Sequence, residues 1–326
     1  MPKVSVIIAS FNYARFLKQC LESVLGQTGF SDFEVIFIDD GSTDNTAEAI
    51  RDFSDQRLTY IRHKDNLGHI QSFNEGFLKA KGRYLVCVGA DDYWHPQFLS
   101  STVPMLERYP EVGLVHTNYY LIDTQNNMGA AYGENIPFKQ DFKGNELNFL
   151  LMDNYLVASG TMFRREALNI IGGTFADDIL YAEDWRLWLG IGKHYEFYFL
   201  NRPLVYYRCH NDNLHSRLSR DRLAEKSEMR ILEDFFSGPD LPLGLKQKKQ
   251  LVYCKHYRHW ADVYFGFGMR QDARRCLRIA LKVSPKILLR ANFWKRYLAT
   301  FFSEQFYAKL KSSCGKIKEN IKWISE

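Results

Sequence analysis

Four short apolar runs constrain this chain most: Val4 to Ala9 (VSVIIA), Phe33 to Ile38 (FEVIFI), Leu58 to Arg62, and Tyr84 to Val88 (YLVCV). Each is separated from the next by a segment of helical periodicity. From Ala14 to Leu25, Phe16, Leu17, Cys20, Leu21, Val24 and Leu25 recur at helical spacing until Gly26 stops them. Thr43 to Thr46 opens a second helix at Ala47 to Phe53, and Ile70 to Ala80 reads as a third. Apolar runs without polar alternation suit strands buried on both faces, and their alternation with helices predicts a parallel sheet covered on both sides. Ligands of such sheets bind in the crevice beyond the carboxyl ends of the strands. Here those ends carry acids: Asp39-Asp40-Gly41-Ser42 follows the second run, and Gly89-Ala90-Asp91-Asp92 follows the fourth.

Two adjacent carboxylates at the end of a buried strand admit two readings. A hard divalent cation, Mn²⁺ or Mg²⁺, takes oxygen ligands and is often held by one or two carboxylates together with substrate phosphates, which makes Asp91-Asp92 a candidate metal-diphosphate site. Equally, the pair could cap a following helix, since Asp is a good N-cap and acids suit a helix start.

The 326 residues, 46% of them hydrophobic, are enough for one large domain or a large and a smaller one. No apolar run reaches the roughly 18 residues of a spanning helix, and the chain enters a strand pattern at Val4 without a signal-peptide core, so a cytoplasmic location is expected. Cys20, Cys87, Cys209, Cys254, Cys276 and Cys314 form no CxxC pair, which argues against a zinc site or a disulfide framework. Charge is unevenly placed: residues 1 to 203 carry −8 and residues 204 to 326 carry +13. That asymmetry suits a separate C-terminal unit facing an anionic partner, such as an acidic membrane surface or nucleic acid, although a solvated basic helix face also accounts for it.

Taken together, VSVIIASFN, SVLGQT, VIFIDDGSTDNT, the Asn66/Gly68/Asn74 segment, GRYLVCVGADD and SGTMFRREAL…IGG…AEDW occur in the order and approximate spacing of the inverting family 2 glycosyltransferases. The chain resembles that family over residues 2 to 215. The resemblance implies a GT-A fold, an α/β architecture with a Rossmann-like nucleotide-binding, mostly parallel sheet flanked by helices, here with a helical C-terminal region. It implies that Ala9, Ser10, Phe11, Asp40, Asn66 and Asp91 bind the nucleotide sugar, with Asp40 accepting from a base or ribose group. Asp92, with His210 of the YYRCH segment, would ligate Mn²⁺ or Mg²⁺. Many relatives carry a further acid where this chain has Gly89, so a donor contact is expected to be missing. Asp184 matches the acid that takes the acceptor's proton; Glu183 is a helper or helix-start residue, Arg208 a charge clamp on phosphate, and Gly173 an acceptor approach or a helix stop.

Residues 1 to 215 are therefore expected to form the catalytic domain and 216 to 326 a helical region. Within the latter, Tyr257, Trp260, Ala261, Tyr264, Gly268, Ala273, Leu277, Ala280 and Pro285 fit one tetratricopeptide-like hairpin at about 253 to 285. Beyond it, aromatic and basic residues from Phe293 to Trp323 suit either a peripheral membrane contact or an ordinary docked helix. The expected activity is transfer of a sugar from a nucleotide-diphosphate donor, UDP being the expected nucleotide, to a hydroxyl of a glycan or lipid-linked oligosaccharide in cell-surface polysaccharide assembly, with no nucleic-acid partner. The rivals are a nucleotidyltransferase, which would carry a Gly-rich basic loop where this chain has SFNYARF, and a non-catalytic binding protein on the same scaffold.

Overall fold

The computed structural model describes residues 1–131, 136–176, 178–210, 218–239, 241–289 and 291–301. It divides into two compact units, Met1–Asn213 and Leu214–Glu326.

The four apolar runs become β1 (Val4–Ser10), β2 (Phe33–Asp39), β3 (Leu58–Arg62) and β4 (Tyr84–Gly89), paired parallel in the order β3-β2-β1-β4. Val4, Val6, Ile7 and Ile8 of β1 and Tyr84, Leu85, Val86 and Val88 of β4 are fully buried, as strands covered on both faces require. The helices α1 (Ala14–Leu25), α2 (Thr46–Ala49) and α3 (His69–Lys79) are the crossovers, with α2 shorter than its sequence suggests because it tightens into a 3₁₀ turn at Ile50–Asp52.

From here the sheet becomes mixed. β5 (Tyr93–Trp94), α4 (Phe98–Arg108), β6 (Val112–Ile122), β7 (Met128–Ala131), β8 (Phe142–Gly144), α5 (Leu147–Leu150), β9 (Thr161–Arg164), α6 (Arg165–Ile170), α7 (Glu183–Gly192) and β10 (Glu196–Arg208) follow. The order continues β4-β9-β6-β10-β5: β9 is antiparallel to both its neighbours, and β10 runs parallel to β6 and antiparallel to β5. The long β10 thus carries Tyr206, Tyr207 and Arg208 back beside the segment that follows β4.

In the other unit, helices Lys249–Gly266 and Arg270–Val283 pack as a hairpin, with Trp260, Ala261, Tyr264, Ala273, Leu277 and Ala280 buried. A helix over Leu223–Ser237 precedes them and ends at Gly238-Pro239. The basic aromatic stretch after Phe301 lies outside the described residues.

Gly41 fixes the turn after β2. Its φ is +74°, and a Cβ there would stand 2.7 Å from the Asp65 carbonyl carbon and 2.9 Å from the Asn66 nitrogen. Gly41→Ala is expected to cost more than about 1 kcal/mol, because it combines left-handed backbone with a backbone clash. A thermal melt beside a nucleotide titration checks this; both melting temperature and affinity should fall.

Candidate active site

The carboxyl ends of β1 and β2 form the first part of the site. Ser10 pairs with Asp39 in register, and Ala9 pairs with Gly89 of β4 on the other side. Ser10 is buried, and its Oγ has no hydrogen-bond partner among the described residues. Phe11 is 40% exposed and lines an open cleft of about 800 Å³ with Arg15, Asp44 and Asn45. Asn12 holds a left-handed backbone (φ +60°) and its Oδ1 accepts from the Thr43 N–H at 2.8 Å, tying the two strand-end turns together.

Asp40 does not stand open toward a ligand. Its carboxylate is buried: Oδ1 accepts from Leu67 N–H and lies 2.8 Å from His63 Nδ1, while Oδ2 accepts from Gly68 N–H. It therefore organises the loop that carries Asn66, an exposed residue whose own Oδ1 accepts from Gly68 N–H at 3.0 Å.

The acid pair after β4 does not cap a helix. β5 follows it directly, and α4 begins only at Phe98, with Gln97 at its cap. The two carboxylates differ sharply. Asp92 is buried, its Oδ2 accepting from Ser159 Oγ at 2.5 Å and its Oδ1 from Arg208 N–H at 2.9 Å. Burial first, and then the neighbouring Asp91 charge, push its carboxyl far above the usual carboxylate range. Asp92, expected from the sequence to ligate the metal, has both its carboxylate oxygens hydrogen-bonded within the protein. Asp91 keeps 18% of its side chain exposed, and its Oδ2 lies 3.0 Å from His210 Nε2. The His210 ring sits against Tyr13 and Phe16 at 5.7 and 5.8 Å, and its buried Nδ1 has no partner among the described residues.

Arg208, expected as a phosphate clamp, is a buried strut. It donates to Asp91 O, Asp123 O, Gln19 Oε1 and Asn126 Oδ1, and its guanidinium lies 4.5 Å from the Phe16 ring centre. Those contacts brace the segment bearing the acids.

Among the described residues no three His, Cys, Asp or Glu side chains converge on a metal position. Asp91 and His210 nevertheless fit a divalent cation whose remaining ligands come from a diphosphate: one offers carboxylate oxygen, the other an imidazole nitrogen, and this mixed set suits Mn²⁺ better than Mg²⁺.

Asp184 is the second residue of α7, whose first residue, Glu183, follows Ala182, which holds a left-handed backbone (φ +58°) that a non-glycine residue adopts only under constraint. Asp184 Oδ1 accepts from Trp185 N–H at 2.6 Å and from Asn154 Nδ2 at 3.3 Å. Enclosure by protein, and then repulsion from Glu183, push the Asp184 carboxyl up to about 7. Glu183 is held to His69 across 3.1 Å. Burial works against a charge on His69, but Glu183 and Asp184 outweigh it and its pKa is raised. The Gly173 N–H donates to Leu168 O at 2.9 Å, closing the end of α6.

Ser159, His63, Glu75, Asn154 and His69 are site residues that sequence reasoning left without roles. They lie between 12 and about 114 positions from the partners they touch, and no local spacing marks them.

Residues 5–172 match the model described as Glycosyl transferase family 2. An uncharacterized glycosyltransferase of Nostoc sp. is 33% identical over 227 residues, 65% of this chain and 66% of that protein, so the alignment spans just under two thirds of the relative's length. The Escherichia coli UDP-Glc:alpha-D-GlcNAc-diphosphoundecaprenol beta-1,3-glucosyltransferase WfaP is 27% identical over 235 residues, 71% of this chain and 87% of that protein. Among solved structures, S. aureus TarS 1-349 in complex with UDP-GlcNAc superposes with a TM-score of 0.69 at 19% identity, covering 94% of this chain and 92% of that one. The mannosyltransferase PcManGT from Pyrobaculum calidifontis in complex with GDP-Man and Mn²⁺ gives 0.60 at 18% identity, covering 92% and 84%. These likenesses identify the fold as GT-A-like.

Proposed function

The chain belongs to glycosyl transferase family 2 and is a glycosyltransferase, and from that premise we propose that it works by inversion, taking its sugar from a UDP-sugar with the help of a divalent cation. The acceptor in this reading is a hydroxyl of a glycan carried on a lipid diphosphate. The observation that carries the chemistry is Asp184: a carboxylate enclosed at the start of a helix, with its pKa pushed up to about 7, is suited to take a proton near neutral pH. TarS is known in complex with UDP-GlcNAc, and WfaP is named for UDP-glucose and a GlcNAc-diphosphoundecaprenol acceptor; these support the substrate classes.

In this mechanism Ala9, Ser10, Phe11 and the Asn66 loop bind the nucleotide, with the unpartnered Ser10 hydroxyl available to it. Asp184 accepts the proton of the acceptor hydroxyl as that oxygen bonds to the anomeric carbon. The bond from the anomeric carbon to the diphosphate breaks in the same step, and UDP leaves with the electron pair. A cation on Asp91 and His210 would offset the charge developing on the departing diphosphate. Asp92, Ser159 and Arg208 keep Asp91 in place for this.

The test is nucleotide-sugar binding and slow hydrolysis across a panel of donors with Mn²⁺, Mg²⁺ or EDTA. One UDP-sugar should bind and turn over only with metal; a fully folded protein that binds none of them would refute the reading. Transfer should also depend on pH. Asp184 acts as a base only when ionised, so kcat/KM should rise with pH through about 7 and then level off.

A lipid-borne acceptor suits a peripheral membrane contact. No helix among the described residues is long and apolar enough to cross a membrane. On helix Ala291–Ala299, however, Trp294 and Leu298 lie one turn apart and are 46% and 53% exposed, and Phe301 just beyond is 53% exposed. Exposed apolar side chains, in a stretch of sequence (residues 204 to 326) that carries surplus positive charge, suit the surface of an anionic bilayer. Co-sedimentation with anionic but not neutral vesicles, weakened by salt and by Trp294→Ala, is the expected result.

A further inference from the structure

His63 lies just after β3, with its side chain only 8% exposed. Its ring touches a carboxylate on each side: Nδ1 is 2.8 Å from Asp40 Oδ1, and Nε2 is 2.8 Å from Glu75 Oε2 on α3. Its backbone N–H donates to Asp39 O at 2.8 Å, which anchors the residue to the end of β2. An ionised carboxylate only accepts hydrogen bonds, and a neutral imidazole donates from one nitrogen alone. Both contacts can be satisfied together only by the doubly protonated ring.

The charged groups facing the ring are consistent with this. β2 contributes Asp40 and α3 contributes Glu75; Arg62, beside it on β3, turns toward Asp39 and the Ser42 carbonyl instead. Burial disfavours the charged ring, yet the two carboxylates prevail and its pKa is raised.

What the bridge holds is the support of the Asn66 loop. Asp40 accepts from both Leu67 and Gly68 N–H groups, so its carboxylate sets the loop's height above β2. We propose that His63 is a positioning residue of the donor site: bridging Asp40 and Glu75, it fixes the Asp40 carboxylate beneath the Asn66–Gly68 loop in the form that binds the nucleotide. The inference rests on the donor-site reading given above. His63 does not contact the reacting atoms, and it acts on donor affinity, not on the chemical step.

Loss of the second ring proton breaks one of the two contacts, so donor affinity falls as pH rises through the His63 pKa. The experiment uses the full chain with Mn²⁺ and measures UDP affinity by calorimetry from pH 6 to 9, alongside the His63 ring pKa by NMR. Wild type should lose about tenfold in affinity across the ring's titration, the scale of one hydrogen bond to a charged group. Glu75→Gln, which keeps an acceptor but removes the charge, should lower the ring pKa and move the affinity loss to lower pH by the same interval. His63→Gln should bind about tenfold more weakly, lose the pH dependence and retain kcat at saturating donor.

Unchanged affinity in His63→Gln, or a Glu75→Gln protein whose ring pKa moves while its affinity profile does not, would overturn the role. Failure of UDP and of every UDP-sugar to bind wild type at any pH would instead sink the donor-site reading, and this role with it.

Discussion

Asp184→Asn is expected to lower kcat by about 10²- to 10⁴-fold, the range over which a positioned general base contributes, while leaving donor affinity close to wild type. Asn preserves the acceptor oxygen for Trp185 N–H and Asn154 but cannot take a proton. The same substitution should not destabilise the fold. Asp184 holds its proton more tightly folded than unfolded, so between its ordinary pKa of 3.8 and about 7 the folded state loses stability as pH rises. A neutral Asn removes that penalty. At pH 8 the variant should melt at or above the wild-type temperature, and a melting point well below it would show that the carboxylate is structural.

Asp91→Ala and Asp92→Ala should fail in opposite ways, although the residues are adjacent. Asp91→Ala removes a partly exposed carboxylate whose side-chain partner is His210, so metal-dependent donor binding and turnover should disappear while the melting temperature stays near wild type. Asp92→Ala strips the acceptor from Ser159 Oγ and Arg208 N–H inside the protein, which should cost about 2–5 kcal/mol of stability. Thermal melts and Mn²⁺-dependent donor binding, measured side by side, separate the two. If Asp92→Ala stays fully stable but loses only metal-dependent binding, the assignment of roles to the two acids is reversed.

The sequence makes some of this legible, and physics explains which parts. β1, β2 and β4 are readable because a strand covered on both faces has no polar alternation to disguise it. The position of the acids at strand ends follows directly. Which member of the Asp91-Asp92 pair faces inward does not, because Ser159 and the return of β10 decide it, and neither is local. Arg208 illustrates the same limit: a guanidinium in a site suggests an anion, yet here it is enclosed by Gln19, Asp123 and Asn126, which come from distant parts of the chain. Asp40 was legible as a site acid, but the loop amides it serves are visible only once the turn at Gly41 brings Leu67 and Gly68 over it. His63 and Glu75 stand 12 positions apart, on a strand end and a helix, and their meeting at Asp40 has no signature in spacing.

Transfer by a single displacement, with Asp184 activating the acceptor, inverts the anomeric centre. The anomeric configuration of the product tests it most directly, measured by NMR after incubation with the UDP-sugar that binds and a GlcNAc-diphosphate-lipid analogue. An α-configured donor should yield a β-linked product, formed by wild type and suppressed in Asp184→Asn. An α-linked product, or an undiminished rate in Asp184→Asn, would contradict the account.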